Sequence, residues 1–199
     1  MSEANGNSLD SLVGLSGFRC IVADPPWRYK GTLPGFLKDR LARSRVPYDT
    51  MTMGEIAALP VMSCASDDAH LYLWTTNTHL FESKCVAEAW GFKYSTLLVW
   101  CKNPRGFAGF PTWNVCTEYV LFCRRGSLKA TKRIDRNWWI WQRTPHSAKP
   151  EAFQDMVEAV SPGPRLELFA RRARPGWTVW GNEVEANNAI EERAAALDL

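Results

Sequence analysis

The run FRCIVA, Phe18 to Ala23, ends directly on Asp24-Pro25-Pro26-Trp27, and this junction constrains the fold more than any other feature of the chain. The run is apolar and rich in β-formers, as a buried strand requires. Proline has no N–H and a fixed φ, so two in succession cannot continue a ladder. The strand therefore stops at Ala23 and presents Asp24 outward from its carboxyl end. In open α/β sheets, ligands bind at the carboxyl ends of the strands, so the junction also marks a candidate site.

The rest of the chain alternates strand and helix patterns. HLYLWTT (70–76), KYSTLLVWCK (93–102), EYVLFCRR, NWWIWQR, RLELFA and WTVWG read as strands. Thr52 followed by Glu55 is a capping box opening a short helix. Asn77 or Thr78 caps a helix running to about Trp90, which Gly91 stops. Ser147 ahead of Lys149-Pro150 reads as a third helix start, with Phe153, Met156, Val157 and Val160 on one face. This order predicts an α/β three-layer sandwich. The Gly, Pro and basic content of 28–50 and of 103–114 indicates long loops, which in a compact domain are usually functional.

With 199 residues, 46% hydrophobic and 23% charged, the chain excludes wholesale disorder and a collagenous or disulfide scaffold. No apolar run approaches the ~20 residues of a membrane span, and the polar start MSEANGNSLDS has no signal-peptide pattern. The expectation is a soluble, cytoplasmic protein, nuclear in a eukaryote. Residues 1–17 read as a flexible leader, 18–185 as the folded domain and 186–199 as an acidic tail. Six cysteines without a CxxC pair read as reduced, buried thiols, and three histidines without ligand spacing give no metal site. Trp74, Trp90 and Trp100 read as core, and Glu118 as a partner for a basic side chain or a group near substrate.

The net charge of +3 hides a strong pattern. Six Lys/Arg lie between Arg28 and Arg45 and seven between Arg124 and Arg143, offset by an acidic end. The second stretch is interleaved with Trp138, Trp139 and Trp141, which fits a polyanion carrying flat bases. Both stretches are expected to flank the Asp-Pro-Pro-Trp turn. That turn offers a carboxylate and a proline carbonyl side by side next to an aromatic wall. An exocyclic base amine has two N–H donors in the plane of its ring, so these acceptors match a flipped nucleobase.

The blocks ADPPWRY, YDTMT, LYLWTT, WGF…LVWCKN, CTEYVLFCRRG, HSAKP…SPGPRLELFARR and WTVWGNE, in this order, resemble the MT-A70 family of S-adenosylmethionine-dependent adenine-N6 methyltransferases. The resemblance spans roughly 18–185. It implies a Rossmann-like methyltransferase fold with a mostly parallel sheet and a catalytic motif preceding the main cofactor segment. Its catalytic residues would be Asp24, Pro25, Pro26 and Trp27, with Asp24 and Pro25 holding the adenine amine, and Trp27 and Tyr48 lining the base pocket. Asp24, Lys149, Phe169, Arg171, Asn182 and Glu183 would bind S-adenosyl-L-methionine: Lys149 at the methionine carboxylate, Phe169 and Arg171 at the ribose. The glycine-rich loop of ordinary methyltransferases is absent, as is usual in this family. Asp10 is a candidate for the acid that reads the cofactor adenine.

The implied partner is nucleic acid. DNA is favoured, because the RNA-specific accessory domains of larger members are missing, and RNA is the second reading. A catalytically silent nucleic-acid-binding scaffold and a cytosine-N4 enzyme are the alternatives, and a homodimer or a heteromer both stay open.

Overall fold

A computed structural model describes residues 12–29, 50–103, 112–142 and 149–181. Among these, seven strands form one sheet: β1 (Phe18–Ala23), β2 (Ala65–Thr75), β3 (Lys93–Asn103), β4 (Thr117–Arg125), β5 (Trp138–Gln142), β6 (Arg165–Leu168) and β7 (Trp177–Trp180), in the spatial order β5-β3-β4-β2-β1-β6-β7. β1 pairs in parallel with β2 and β6, β6 with β7, and β3 with β5, whereas β4 is antiparallel to both β2 and β3. Six strands thus run one way. The reversed β4 brings its first residues to the edge where β1, β2 and β6 end.

Period-two alternation along the strands sends side chains into two separate cores. Ile21, Ala23, Leu71, Leu73, Leu121, Leu166 and Leu168 face one way. They are covered by α1 (Met53–Ala57), α2 (Val61–Cys64) and α3 (Ser83–Ala89) through Ile56, Val61, Cys64, Val86 and Ala87. Val22, Tyr72, Trp74, Trp100 and Val120 face the other way, against Phe153 and Val157 of α4 (Glu151–Val160). The three-layer α/β sandwich expected from the sequence is the fold observed.

Local signals hold where they are strong. Thr52 Oγ1 accepts from the Glu55 N–H, and the Glu55 carboxylate accepts from the Thr52 N–H at 2.6 Å, completing the capping box. Gly91 takes φ +80°, the left-handed conformation that ends a helix. α4 starts at Glu151 behind Pro150, Ser147 lying outside the described residues, and two other elements differ from expectation for a visible reason. The helix after β2 starts at Ser83 rather than near Thr78, because the Ser83 hydroxyl lies 2.5 Å from that of Thr75 and donates to the His79 carbonyl, leaving 77–82 in turns. β2 begins five residues earlier than read. Ser66, Asp67 and Asp68 are poor strand formers, but here they extend the sheet beyond its core, with Asp68 accepting from the Ser127 N–H.

Of the six cysteines, all free, Cys20, Cys64 and Cys123 are buried as expected. Cys85 and Cys116 are exposed, so the reading of six buried thiols is corrected. Trp74, Trp90 and Trp100 are buried. No helix of the described residues is long and apolar enough to cross a membrane, and no metal-binding cluster occurs among them.

Candidate active site

Asp24 leaves the sheet where β1 ends between β2 and β6, at the level of Leu73 and Leu168. The turn that follows is held from several sides. The Trp27 N–H donates to the Pro25 carbonyl at 2.8 Å, the Met51 N–H donates to the Pro26 carbonyl at 2.8 Å, and the Arg28 N–H donates to the Met51 carbonyl at 2.9 Å. The Trp27 indole is buried and donates to the Trp74 carbonyl at 3.1 Å. Its ring stacks on His79 at 5.5 Å, and Tyr29 packs against the same imidazole. Trp27 therefore anchors the turn from below.

The Asp24 side chain meets Lys149, two residues ahead of α4. Lys149 Nζ lies 2.9 Å from Asp24 Oδ2, 3.0 Å from Glu118 Oε2 and 5.0 Å from the centre of the Trp74 ring. Glu118, at the start of β4, also takes Lys102 of β3 as a partner. The result is an alternating row, Asp24, Lys149, Glu118, Lys102, across the ends of three strands. Burial by itself disfavours the charge of Lys149, but Asp24 and Glu118 outweigh it and hold the ammonium well above the usual lysine range. Burial likewise opposes ionisation of Glu118, and Lys149 and Lys102 outweigh it, so its pKa is lowered.

On the α4 side of this row a cleft is lined by Asp24, Trp74, Lys149, Phe153, Gln154, Glu167, Phe169 and Arg171. Glu167 is the unexpected member. Burial, and then the charge of Asp24, push its carboxyl up to about 7, although Gln154 Nε2 donates to it at 2.6 Å. Arg172 donates to the other end of the Gln154 amide at 3.1 Å, fixing its orientation. Phe169 has φ +62°, strained for a bulky residue and a feature that clusters at functional sites. Beside it, the chain after β7 passes so close to Ala170 that a Cβ at position 181 would overlap the Ala170 carbonyl oxygen and nitrogen; only glycine fits.

Asp24, Lys149, Phe169 and Arg171, named from the sequence on separate segments, thus line one cleft. Tyr48, Asn182 and Glu183, like Asp10, lie outside the described residues. Glu167 was not anticipated; its only signal in the sequence is a lone acid alternating with leucines in RLEL. Trp74 is both core and cleft wall. Of the first basic stretch, Arg28 binds the Thr50 carbonyl at 2.6 Å beside the turn, and 30–45 lies outside the described residues.

The second basic stretch is not where it was expected. From Glu118, β4 runs seven residues away from the site to Arg125, about 23 Å at ~3.3 Å per residue. The chain is pinned there by hydrogen bonds from His70 Nε2 to the Leu128 carbonyl and from the Thr131 N–H to the Val160 carbonyl. It then climbs to β5, the outermost strand, four strands and roughly 19 Å across from Asp24. Lys129 and Lys132 therefore sit at the far end of the sheet, beside the β2 and α4 contacts of Leu128 and Thr131, and Arg133 and Arg136 lie on the way to β5, instead of flanking the turn.

Residues 18–183 match the family model of MT-A70. The chain belongs to the MT-A70 family. It is 32% identical over 189 residues to the type II methyltransferase M.MunI of a Mycoplasma species, an alignment covering 85% of this chain and 79% of that protein. It is 29% identical to an MT-A70-like protein of Medicago truncatula described as a putative N(6)-adenosine-methyltransferase, across 89% of this chain and 28% of the plant protein. With the human N(6)-adenosine-methyltransferase catalytic subunit METTL3 it shares 26% identity across 92% of this chain and 31% of the relative. The chain thus spans about a quarter to a third of these eukaryotic MT-A70 relatives. The enzyme class expected from the sequence, a methyltransferase of the MT-A70 family, stands.

Proposed function

We propose that the chain transfers a methyl group from S-adenosyl-L-methionine to N6 of adenine in nucleic acid, with DNA as the favoured polymer. The observation that carries this reading is the position of Asp24, an acceptor on a rigid strand end that opens into a cleft carrying Lys149, Glu167 and Phe169. The donor set fits such a cofactor. Asp24 and Glu167 supply negative charge for the ammonium and sulfonium centres, and Glu167, pushed up to about 7, marks a place where negative charge is under-compensated. Lys149 would supply the countercharge for the carboxylate, and Phe169 and Arg171, which line the same cleft, are assigned to the ribose by the family pattern. When bound, S-adenosylmethionine supplies a methyl group already activated by its sulfonium.

The protein then has to hold the acceptor in line with that methyl, and good orientation lowers a barrier by up to ~7–11 kcal/mol. Asp24 and the second lone pair of the Pro25 carbonyl, whose first is taken by the Trp27 N–H, accept from the two N6 hydrogens. These bonds draw the amine lone pair out of the ring and strengthen as positive charge develops on N6. Asp24 or water takes the proton. Pro26 and Trp27 hold the turn in place. Tyr48 is assigned to the base, and Asn182 and Glu183 to the cofactor ribose, by the family pattern. The preference for DNA draws on the type II methyltransferase, most of whose length this chain shares. RNA is the second reading, favoured by the relatives named N(6)-adenosine-methyltransferases.

The test is Asp24→Asn, which keeps shape and swaps an acceptor for a donor facing the amine. Single-turnover transfer should fall by at least about 100-fold in a variant that circular dichroism shows still folded. Transfer at the wild-type rate removes Asp24 from the chemistry.

A further inference from the structure

β5 closes the order of strands, and among the described residues nothing pairs with its outer edge. An open edge is normally blunted by charge or by short, polar residues. This one reads WWIWQ. Trp138 is 50% and Ile140 61% exposed, large values for such side chains. Their register partners are Val99 and Cys101 of β3, so by strand alternation they project from the face of Leu97, the same face whose core holds Trp27 of the Asp-Pro-Pro-Trp turn. On the opposite face Trp139 and Trp141 stack on each other at 5.4 Å with 12° between their planes, which stiffens the strand. The last residues feeding β5 include Arg133 and Arg136, both exposed, with a single acid, Asp135, 3.4 Å from Arg133 Nε. Asn137 ties the join to β3 by donating to the Leu97 carbonyl at 3.0 Å.

We propose that this outer edge, β5 with its basic feeding segment, is a docking track for single-stranded nucleic acid flanking the target base. The track rests on the functional reading above for the polymer's identity. Charge complementarity selects the occupant: the guanidinium groups of Arg133 and Arg136 ahead of exposed aromatic and aliphatic groups are the combination that tracks phosphates and stacks bases without reading sequence, whereas a second copy of this chain would bring the same positive charge against itself. At roughly 19 Å from Asp24, the track meets the strand about six stacked nucleotides from the target, taking ~3.4 Å each. A trinucleotide cannot span that distance; a 20-mer can.

The probe is a labelled 20-mer of oligothymidylate, which has no exocyclic amine to enter the catalytic turn and so tests the track whether or not methyl transfer is observed. Trp138→Ala should weaken its binding at least about fivefold with the salt slope unchanged. Arg133→Ala with Arg136→Ala should flatten the log–log salt slope by about 1.4, at about 0.7 per phosphate contact on a single strand. In methyl transfer, the same variants should raise KM for an adenine-containing 20-mer and leave a trinucleotide unaffected. Wild-type oligothymidylate binding by both variants overturns the track, as does tighter binding of a blunt duplex that ignores Trp138→Ala. A dimer in sedimentation that Trp138→Ala dissociates while oligothymidylate binding is unchanged also overturns it, in favour of a second copy. Loss of transfer on every substrate with oligothymidylate binding still sensitive to both variants supports the track and counts against the catalytic reading alone.

Discussion

Replacing Glu167 by glutamine isolates the most perturbed carboxyl of the cleft. The amide keeps the shape and can still accept from Gln154 Nε2, which now reaches the carboxylate at 2.6 Å. In the native fold, burial and the neighbouring charge of Asp24 raise this carboxyl from an ordinary 4.5 to about 7. The folded state therefore keeps a proton that the unfolded chain releases, and the associated stability is present below about pH 4.5 and lost as pH rises through about 7. A tenfold difference in proton affinity between the folded and unfolded chain is worth about 1.4 kcal/mol, so between about pH 5 and pH 8.5 the wild type loses about 2–3 kcal/mol through this one group. Glu167→Gln removes that loss. Urea unfolding of both proteins at the two pH values gives the result as a difference of differences, in which titrating groups that do not interact with Glu167 cancel. The variant should gain about 2–3 kcal/mol relative to wild type on going from about pH 5 to pH 8.5. An equal difference at both pH values would mean that Glu167 titrates normally, and the cleft would then hold no under-compensated negative charge.

Two further outcomes follow from the same geometry. Lys149→Ala should weaken binding of S-adenosylhomocysteine by about 1–3 kcal/mol in calorimetry, and unchanged affinity would move the carboxylate site elsewhere. Gly181→Ala forces a Cβ into the Ala170 backbone; it should cost at least about 2 kcal/mol in urea unfolding, and a neutral result would show that the strand ends can separate freely.

What the sequence disclosed was what is local. The β1 strand and its Asp-Pro-Pro-Trp stop, the Thr52–Glu55 box and the apolar face of α4 are each written within a dozen residues, and each is found in place. The meeting of Asp24, Lys149 and Glu118 is not local. It depends on β4 entering the sheet reversed between β2 and β3, which brings Glu118 to the end where β1 stops. The same reversal carries Lys129–Arg136 away from the turn, which no count of charges along the chain could reveal. Glu167 reads as one acid among leucines until β6 is placed beside β1. Ser83 moves a helix start because its hydroxyl finds Thr75 across the turn.

Adenine-N6 transfer by this chain stands or falls on the identity of its product. The purified chain is incubated with methyl-labelled S-adenosylmethionine and, separately, with DNA and with RNA, and the polymers are digested to nucleosides. Label should appear in N6-methyldeoxyadenosine from DNA and be abolished by Asp24→Asn; label in N4-methylcytosine, or none from either polymer, would contradict the assignment.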